Sequence, residues 1–467
     1  MKSEKQSEAI RKGADRVLTE CIPLSAGDRL TIFCDAETLE FADAIGAAAQ
    51  RLNILADRRL VSKTMHTKTE DSDSPSDEDE EAIEASRAVI LSFGSRSTPA
   101  PYRRRLFECS VDMTRYVAVV PNATPRLLEY GVNIDYKAAE RRCNDLAAAM
   151  MVGDHAELVT GDKDTWCGRQ SLHVFLGRYS RPPITSTGIL QLGTWGNIPG
   201  GETFIAPLEE RAHGKFVLNG AFRGTVVDRS DPLLLTFKTG ELIEIQGPEK
   251  GVKDLTQLLQ WKKVAGSRPL IQLAELGIGV NDDLHELTGD PLFDEKMSGT
   301  LHIAVGANEM YGGTLKSNLH EDLVAWNPDL TIDGYPILRS GQFVLDPSHW
   351  RESTASLPKL GDLLPAEFRI AKSSAHASPT KNKRFRVKRD VGWQRICSYT
   401  IGDADVGRLL CLLWPQIPPY PDTISLLELY SQWHSRTGLA DISQLRGLIA
   451  VLANHRTLEC LDAEDKI

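Results

Sequence analysis

The side chains able to do chemistry concentrate between Asn197 and Asp322. In chain order they are Asn197-Ile-Pro-Gly-Gly-Glu202, Ala274-Glu275-Leu-Gly-Ile-Gly279, Asp294-Glu295-Lys-Met-Ser-Gly-Thr-Leu-His302-Ile-Ala-Val-Gly306, Gly312-Gly313, Ser317 and His320-Glu321-Asp322. Side chains two residues apart in an extended chain point the same way, so an imidazole at 320 and a carboxylate at 322 can reach one ion. His302 sits in the apolar run Leu301–Val305, where a strand would hold its ring at a fixed height. Glu202 and Glu275 stand beside glycines, where the backbone leaves room. Glu202, Glu275, His302, His320 and Asp322 form a sensible donor set for divalent ions, and a bridging carboxylate would let the set hold two. Such ions generate hydroxide and clamp a tetrahedral intermediate. Glu202, Glu275 and Glu295 are the candidates for moving a proton to a leaving amine. Each piece alone is weak, because a lone histidine in a strand is more often a hydrogen-bonded core residue. No HExxH helix and no GxSxG elbow is present.

The elements that must position these groups fall into an α/β fold class with four segments. Residues 1–155 read as an N-terminal parallel-sheet α/β domain. Asp28–Cys34, Ala88–Phe93 and Arg115–Val120 are its strand candidates, and Ala36–Leu52 is a helix with one apolar stripe. Strands alternating with helices point to βαβ units. The Asp/Glu/Ser run at 69–84 reads as a solvated loop. No GxGxxG or Walker A loop follows the first strand. Residues 156–350 read as a mixed α+β metal-binding domain, with strands at Ala156–Thr160, Gly214–Leu218, Leu233–Phe237 and Leu242–Ile245. Residues 351–384 read as a linker, being rich in Ser, Pro, Lys and Arg. Residues 385–467 read as a small winged-helix-like module. It has a strand candidate at Phe385–Arg389, helical stripes at 403–414, 423–434 and 441–453, and a closing strand at 457–461.

Composition bounds the possibilities. The chain has 467 residues, 41% hydrophobic and 25% charged, enough apolar side chain to build cores. No apolar run approaches the ~18 residues of a membrane span, and the N-terminus has no secretory h-region. A net charge of −10 argues against broad nucleic-acid binding. The basic run Lys381–Arg389 reads as a solvated linker, with docking of an acidic partner as the rival. Eight scattered cysteines without a CxxC pair read as reduced, mostly buried thiols of a cytoplasmic protein.

The motif series NIPGGExFxAP, ELGIGxN, DEKxxGTxHxAxG, GG and SxxHxD resembles the aminopeptidase T / aminopeptidase S family of metallo-aminopeptidases over residues 15–345. The resemblance implies two divalent ions (Zn, Mn or Co) held by Glu202, Glu275, His302, His320 and Asp322, with metal-bound water attacking a peptide or amide carbonyl. It also implies two α/β-containing domains and a homodimer. The family has a tyrosine seven residues after the HxAxG histidine. Here that position is Glu309, and Tyr311, two residues on, is the candidate stand-in. The catalytic candidates are therefore Glu202, Glu275, Glu295 and Tyr311. The 2,5-dihydroxypyridine dioxygenases resemble these aminopeptidases, and through them the alternative is a non-haem Fe(II) oxygenase using His320, Asp322 and His302. A third reading is a catalytically degenerate peptide-binding protein. The C-terminal module is similar at pattern level to winged-helix domains that recognise leader peptides, which implies a peptide or protein partner at 385–462 and a role in tailoring a peptidic natural product.

Overall fold

The computed structural model describes residues 4–350 except 62–74, 95–97, 112–114, 178–180, 182, 191–194, 261–270, 309–312 and 318. Beyond 350 it describes 369–372, 400–401, 404–405, 423–425 and 458–460. The N-terminal sheet is parallel as expected. Its strands run Leu55–Leu60, Arg29–Cys34, Ala88–Ser92, Tyr116–Val119 and Trp195–Asn197, in that order across the sheet. Both faces of its inner strands are buried, which is why they read as unbroken apolar runs. Helix Leu39–Arg51 covers one face through Phe41, Ala42, Ile45, Ala48 and Ala49, spaced as one helical stripe. Helices Asp77–Ala85 and Ala100–Ser110 cover the other, where Phe33, Ile83, Leu91 and Leu106 form a separate cluster.

Two expectations for this unit change. The acidic run read as a loop becomes a helix from Asp77 to Ala85. Ser76 caps it reciprocally with Asp79, the acidic residues of the first turn suit the helix N-terminus, and Ile83 is buried. Asp79 also pairs with Arg59 at 2.9 Å. The edge strand Leu55–Leu60 has no alternation and little burial, so no apolar pattern betrays it. Cys21, Cys34, Cys109, Cys143 and Cys167 are free thiols. Burial pushes the Cys21 and Cys143 thiols up to about 12 and Cys34 up to about 11.

The second part is built from two antiparallel sheets. The eight-stranded one runs Glu241–Gln246, Leu233–Lys238, His213–Leu218, Gln170–Phe175, His155–Thr160, Asp329–Ile332, Tyr335–Arg339 and Gln342–Phe343. The seven-stranded one runs Thr225–Val226, Ala221–Phe222, His320–Trp326, Thr300–Gly306, Leu273–Gly279, Glu202–Ile205 and Ile184–Ser186. Their inner faces share one core through residues such as Leu158, Leu172, Phe216, Leu276, Ile278, Ile303 and Leu323. No described helix is long and apolar enough to cross a membrane.

Most of the C-terminal segment, including the basic run and the helical stripes, lies outside the described residues. The pieces described are extended. Arg369–Lys372, inside the expected linker, pairs with Thr423–Ser425 and Leu458–Cys460. Thr423–Ser425 is thus strand where a helix start is expected, and Ala404–Asp405 pairs with Thr400–Ile401. Thr423 and Ile424 are β-branched, which suits a strand as well as an N-cap.

Candidate metal centre

The first sheet feeds directly into the site. Its fifth strand ends at Asn197, and the Pro199-Gly-Gly turn leads into Glu202–Ile205. Asn281 is fully buried and fastens this turn, donating from Nδ2 to Gly200 O and to Gly131 O, both at 2.8 Å. Helix Tyr136–Val152 backs the Glu202 strand, with Cys143 Sγ donating to Glu202 O and Thr203 Oγ1 donating to Cys143 O.

The register then places every ligand candidate on one face of the seven-stranded sheet. Glu202 lies opposite Gly279, Gly277 opposite His302, Glu275 and Asp322 opposite Ala304, and His320 opposite Gly306. Directly opposed residues share a face, and four adjacent strands carry the five candidates. Two glycines on that face make room, Gly277 for the His302 ring and Gly279 for the backbone that passes it. A Cβ on Gly277 would lie 2.1 Å from His302 Nε2, and one on Gly279 would lie 2.2 Å from Met297 O. The alternation in Glu-Leu-Gly-Ile-Gly is therefore explained on both faces: Leu276 and Ile278 fill the core, while Gly277 and Gly279 clear the site.

The side chains converge. His302 Nε2 is 3.1 Å from Glu275 Oε1 and 3.8 Å from Glu202 Oε2. His320 Nε2 is 3.4 Å from Glu275 Oε2 and 3.5 Å from Asp322 Oδ1. His320 Nδ1 is 2.7 Å from the carbonyl of Ala307, which can only accept, so Nδ1 carries the proton and Nε2 is left for the carboxylates. The loop supplying that carbonyl is held by Asn308, which exchanges two hydrogen bonds with Leu315, and by Glu209, which accepts from Asn308 Nδ2 and Thr314 N.

The electrostatics fit a cation. Burial would lower the His320 pKa, but Asp322 and Glu275 outweigh it and hold the ring well above its usual value. Burial would likewise raise Asp322 and Glu275, yet the imidazoles beside them hold both below the usual carboxylate range. A proton on Nε2 thus occupies the position where a divalent ion would take the lone pair. Ligand atoms of Glu275, His320 and Asp322 all lie within 4.8 Å of one another, the spacing a single ion needs. His302 Nδ1 is buried without a hydrogen-bond partner. Glu295 faces the same cluster. Burial pushes its carboxyl well above the usual range, opposed by Lys296 and reinforced by Glu202 and Asp322. Glu295 in turn is among the groups that hold Asp322 low.

Of the candidates, Glu202, Glu275, Glu295, His302, His320 and Asp322 are together. Tyr311 and Glu309 lie outside the described residues. The side chain the sequence reading did not select is Lys296, 1% exposed, whose Nζ is 2.8 Å from Glu202 Oε1 and is hydrogen-bonded to Glu295. A lysine beside a glutamate ordinarily reads as a solvated pair, so only a buried setting reveals it.

Residues 186–342 match the family described as thermophilic metalloprotease (M29), and that stretch holds all six clustered acids and imidazoles. Two solved structures share the fold. One is 2,5-dihydroxypyridine dioxygenase from Pseudomonas putida KT2440, at 16% identity and a TM-score of 0.53, covering 72% of this chain and 97% of that one. The other is wild-type AmpT from Thermus thermophilus, at 18% identity and a TM-score of 0.51, covering 73% of this chain and 100% of that one. At these identities the likeness is one of fold. No curated protein sequence matches the chain.

Proposed function

We propose that this chain is a metal-dependent hydrolase of peptide or amide bonds, acting as an aminopeptidase. The observation that carries the reading is the convergence of Glu275, His320 and Asp322 inside the segment that matches a metalloprotease family. A divalent ion there would lower the pKa of bound water and polarise a carbonyl. Glu275, His320 and Asp322 would hold the ion. Glu202 and His302 flank them, and Glu295 holds a proton at the edge of the cluster for the leaving amine. A close set of two carboxylates and one histidine differs from the two-histidine, one-carboxylate shell of non-haem iron oxygenases, which supports hydrolysis over oxygenation.

The test is hydrolysis of amino-acid amides and short peptides by the purified full chain, before and after chelation. The expected result is activity lost with the metal, restored by Zn, Mn or Co, and indifferent to removal of oxygen. Turnover that survives complete metal removal would overturn the reading, and turnover that consumes oxygen would replace it with the oxygenase. The proposal extends to residues 385–462 as a peptide-recruiting appendage and to a homodimer. A chain truncated after residue 384 should keep activity on amides and lose preference for longer peptides, and light scattering should give twice the chain mass.

A further inference from the structure

His320 Nδ1 is set by the carbonyl of Ala307, 2.7 Å away. Ala307 stands just beyond Gly306, whose backbone lies in the left-handed region at φ +119°. Glycine is required there, because a Cβ would lie 2.0 Å from Leu319 O, and glycine restrains φ and ψ little. On the strand side Gly306 N donates to Gln272 O at 2.9 Å. On the far side of Ala307 the anchor is Glu209.

Glu209 follows the strand Glu202–Ile205, which carries a ligand candidate. Its neighbour Leu208 donates from N to Phe175 O at 2.8 Å, at the end of a strand of the eight-stranded sheet. Glu209 Oε1 accepts from Asn308 Nδ2 at 3.1 Å, from Thr314 N at 2.8 Å and from Arg181 Nη1 at 3.2 Å. Glu209 Oε2 accepts from Arg181 Nη2 at 2.5 Å. Asn308 is buried, and its exchange with Leu315 ties that stretch only to itself. Glu209 ties the same stretch to both sheets. Arg181 is 4% exposed, and a guanidinium so buried is costly unless paired. A two-bond pair also fixes the plane of the carboxylate. Burial would raise the Glu209 carboxyl, but the Thr314 N–H and Arg181 hold it below the usual range.

We infer that Glu209, locked in place by Arg181, is a positioning residue of the metal centre. It holds Asn308 and Thr314, and through them the Ala307 carbonyl that aims His320 Nε2 at the ion. This rests on the metal-centre reading for the ion itself and goes beyond it in assigning an ion pair outside the ligand set to the orientation of one ligand.

The experiment is a calorimetric titration of the chelated, dialysed full chain with Co²⁺. The visible absorption of the bound Co²⁺ is recorded with it, since that reports the geometry of the donors. The unmodified chain should bind Co²⁺. Glu209→Ala should bind it about tenfold more weakly, with altered absorption, the lower end of the loss for a group that orients a ligand. Glu209→Gln, whose amide oxygen can accept from Asn308 and Thr314, should recover most of that loss. Arg115→Met, which removes a buried guanidinium from the N-terminal unit, should lower the melting temperature and leave Co²⁺ binding unchanged. A folded Glu209→Ala chain with unchanged affinity and absorption would overturn the inference and leave the metal centre standing. Equal weakening in Arg115→Met would overturn it too, because affinity would then merely follow stability. Glu209→Gln as weak as Glu209→Ala would overturn the route through Asn308 and Thr314. No Co²⁺ on the unmodified chain would overturn both the inference and the metal centre. Should Glu209→Ala fail to fold, Gly313→Ala puts the same question. Its methyl would lie 2.1 Å from Asn308 Cγ, so Asn308 must move off Glu209 and Co²⁺ binding should weaken. Unchanged binding in that variant would overturn the inference.

Discussion

Two sheet faces in this molecule gather imidazoles and carboxylates across neighbouring strands, and among the described residues only one of them has the donor spacing of a candidate metal centre. On the seven-stranded sheet, His302, His320, Glu275, Asp322 and Glu202 converge nitrogen against oxygen. On the outer face of the eight-stranded sheet, His155, His173 and His213 stand side by side with Glu157 opposite His173. There the rings stack. His155 and His173 have centroids 5.2 Å apart and planes 13° apart, and His173 and His213 are 5.1 Å and 21° apart. An imidazole lone pair lies in the ring plane, so parallel stacked rings cannot aim three lone pairs at one point. His155 Nε2 also hydrogen-bonds His173 Nδ1 at 3.2 Å, which uses a lone pair of the pair itself. Residue type and strand register are shared by the two faces. What differs is glycine: Gly277 leaves a hollow on one face that the His302 ring fills, while Gly279 and Gly306 let the backbone at Lys296–Met297 and at Leu319 pass close.

The largest effect expected from this comparison is at the converging face. His320→Ala or Asp322→Ala should remove stoichiometric metal and reduce amide hydrolysis by more than the roughly 100-fold typical of losing an outer-shell partner. His173→Ala should change neither. Elemental analysis and turnover of the three variants check this, and metal lost from the His173 variant would break the contrast.

The hollow itself comes next. Gly277→Ala puts a methyl 2.1 Å from His302 Nε2, so the ring must move off Glu275. Overpacking of this kind costs about 1–3 kcal/mol of stability, and metal affinity should fall with it. Thermal melting with and without Zn²⁺ measures both. An unchanged affinity would mean that His302 is packing rather than part of the centre. Asn281→Ala should have a smaller effect on the metal and a comparable one on stability. It leaves the carbonyls of Gly131 and Gly200 without their donor, at about 1–3 kcal/mol. Its melting temperature should drop while the full complement of metal still binds.

These variants also mark what was legible in the sequence. The parallel α/β unit and most strands of the second part could be read from period and burial, since each apolar run is either buried on both faces or alternates. Glu202, Glu275, His302, His320 and Asp322 could be picked out by type and by the motif order, and the register brings them to one face. Lys296 could not, because burial of a charge is a tertiary fact. The helix Asp77–Ala85 was hidden by its own charge. Six Asp or Glu in a nine-residue helix suggest repulsion until Ser76 and Arg59 are seen to take up part of it. The strand at 423–425 was misread because Thr is equally at home at a helix N-cap and in a strand.

The smallest effect belongs to the face without metal, and it concerns pH. Burial lowers the His173 pKa from 6.5. Glu157 opposes this, and the neighbouring His155 and His213 add to it. A histidine whose folded pKa is depressed contributes nothing above its unfolded value, where both states are neutral. Below that value the unfolded chain takes a proton that the folded chain resists, so stability is lost as pH falls from roughly 6.5 toward the folded pKa. His173→Gln removes the titrating ring while keeping a hydrogen-bonding side chain beside His155. Urea unfolding at a series of pH values should therefore show a flatter acid limb for the variant and coincidence with the unmodified chain above neutrality. An acid limb unchanged by the substitution would mean that the row is as well solvated as any surface histidine. In that case burial, and not only the hollow that His302 fills, would separate the two faces.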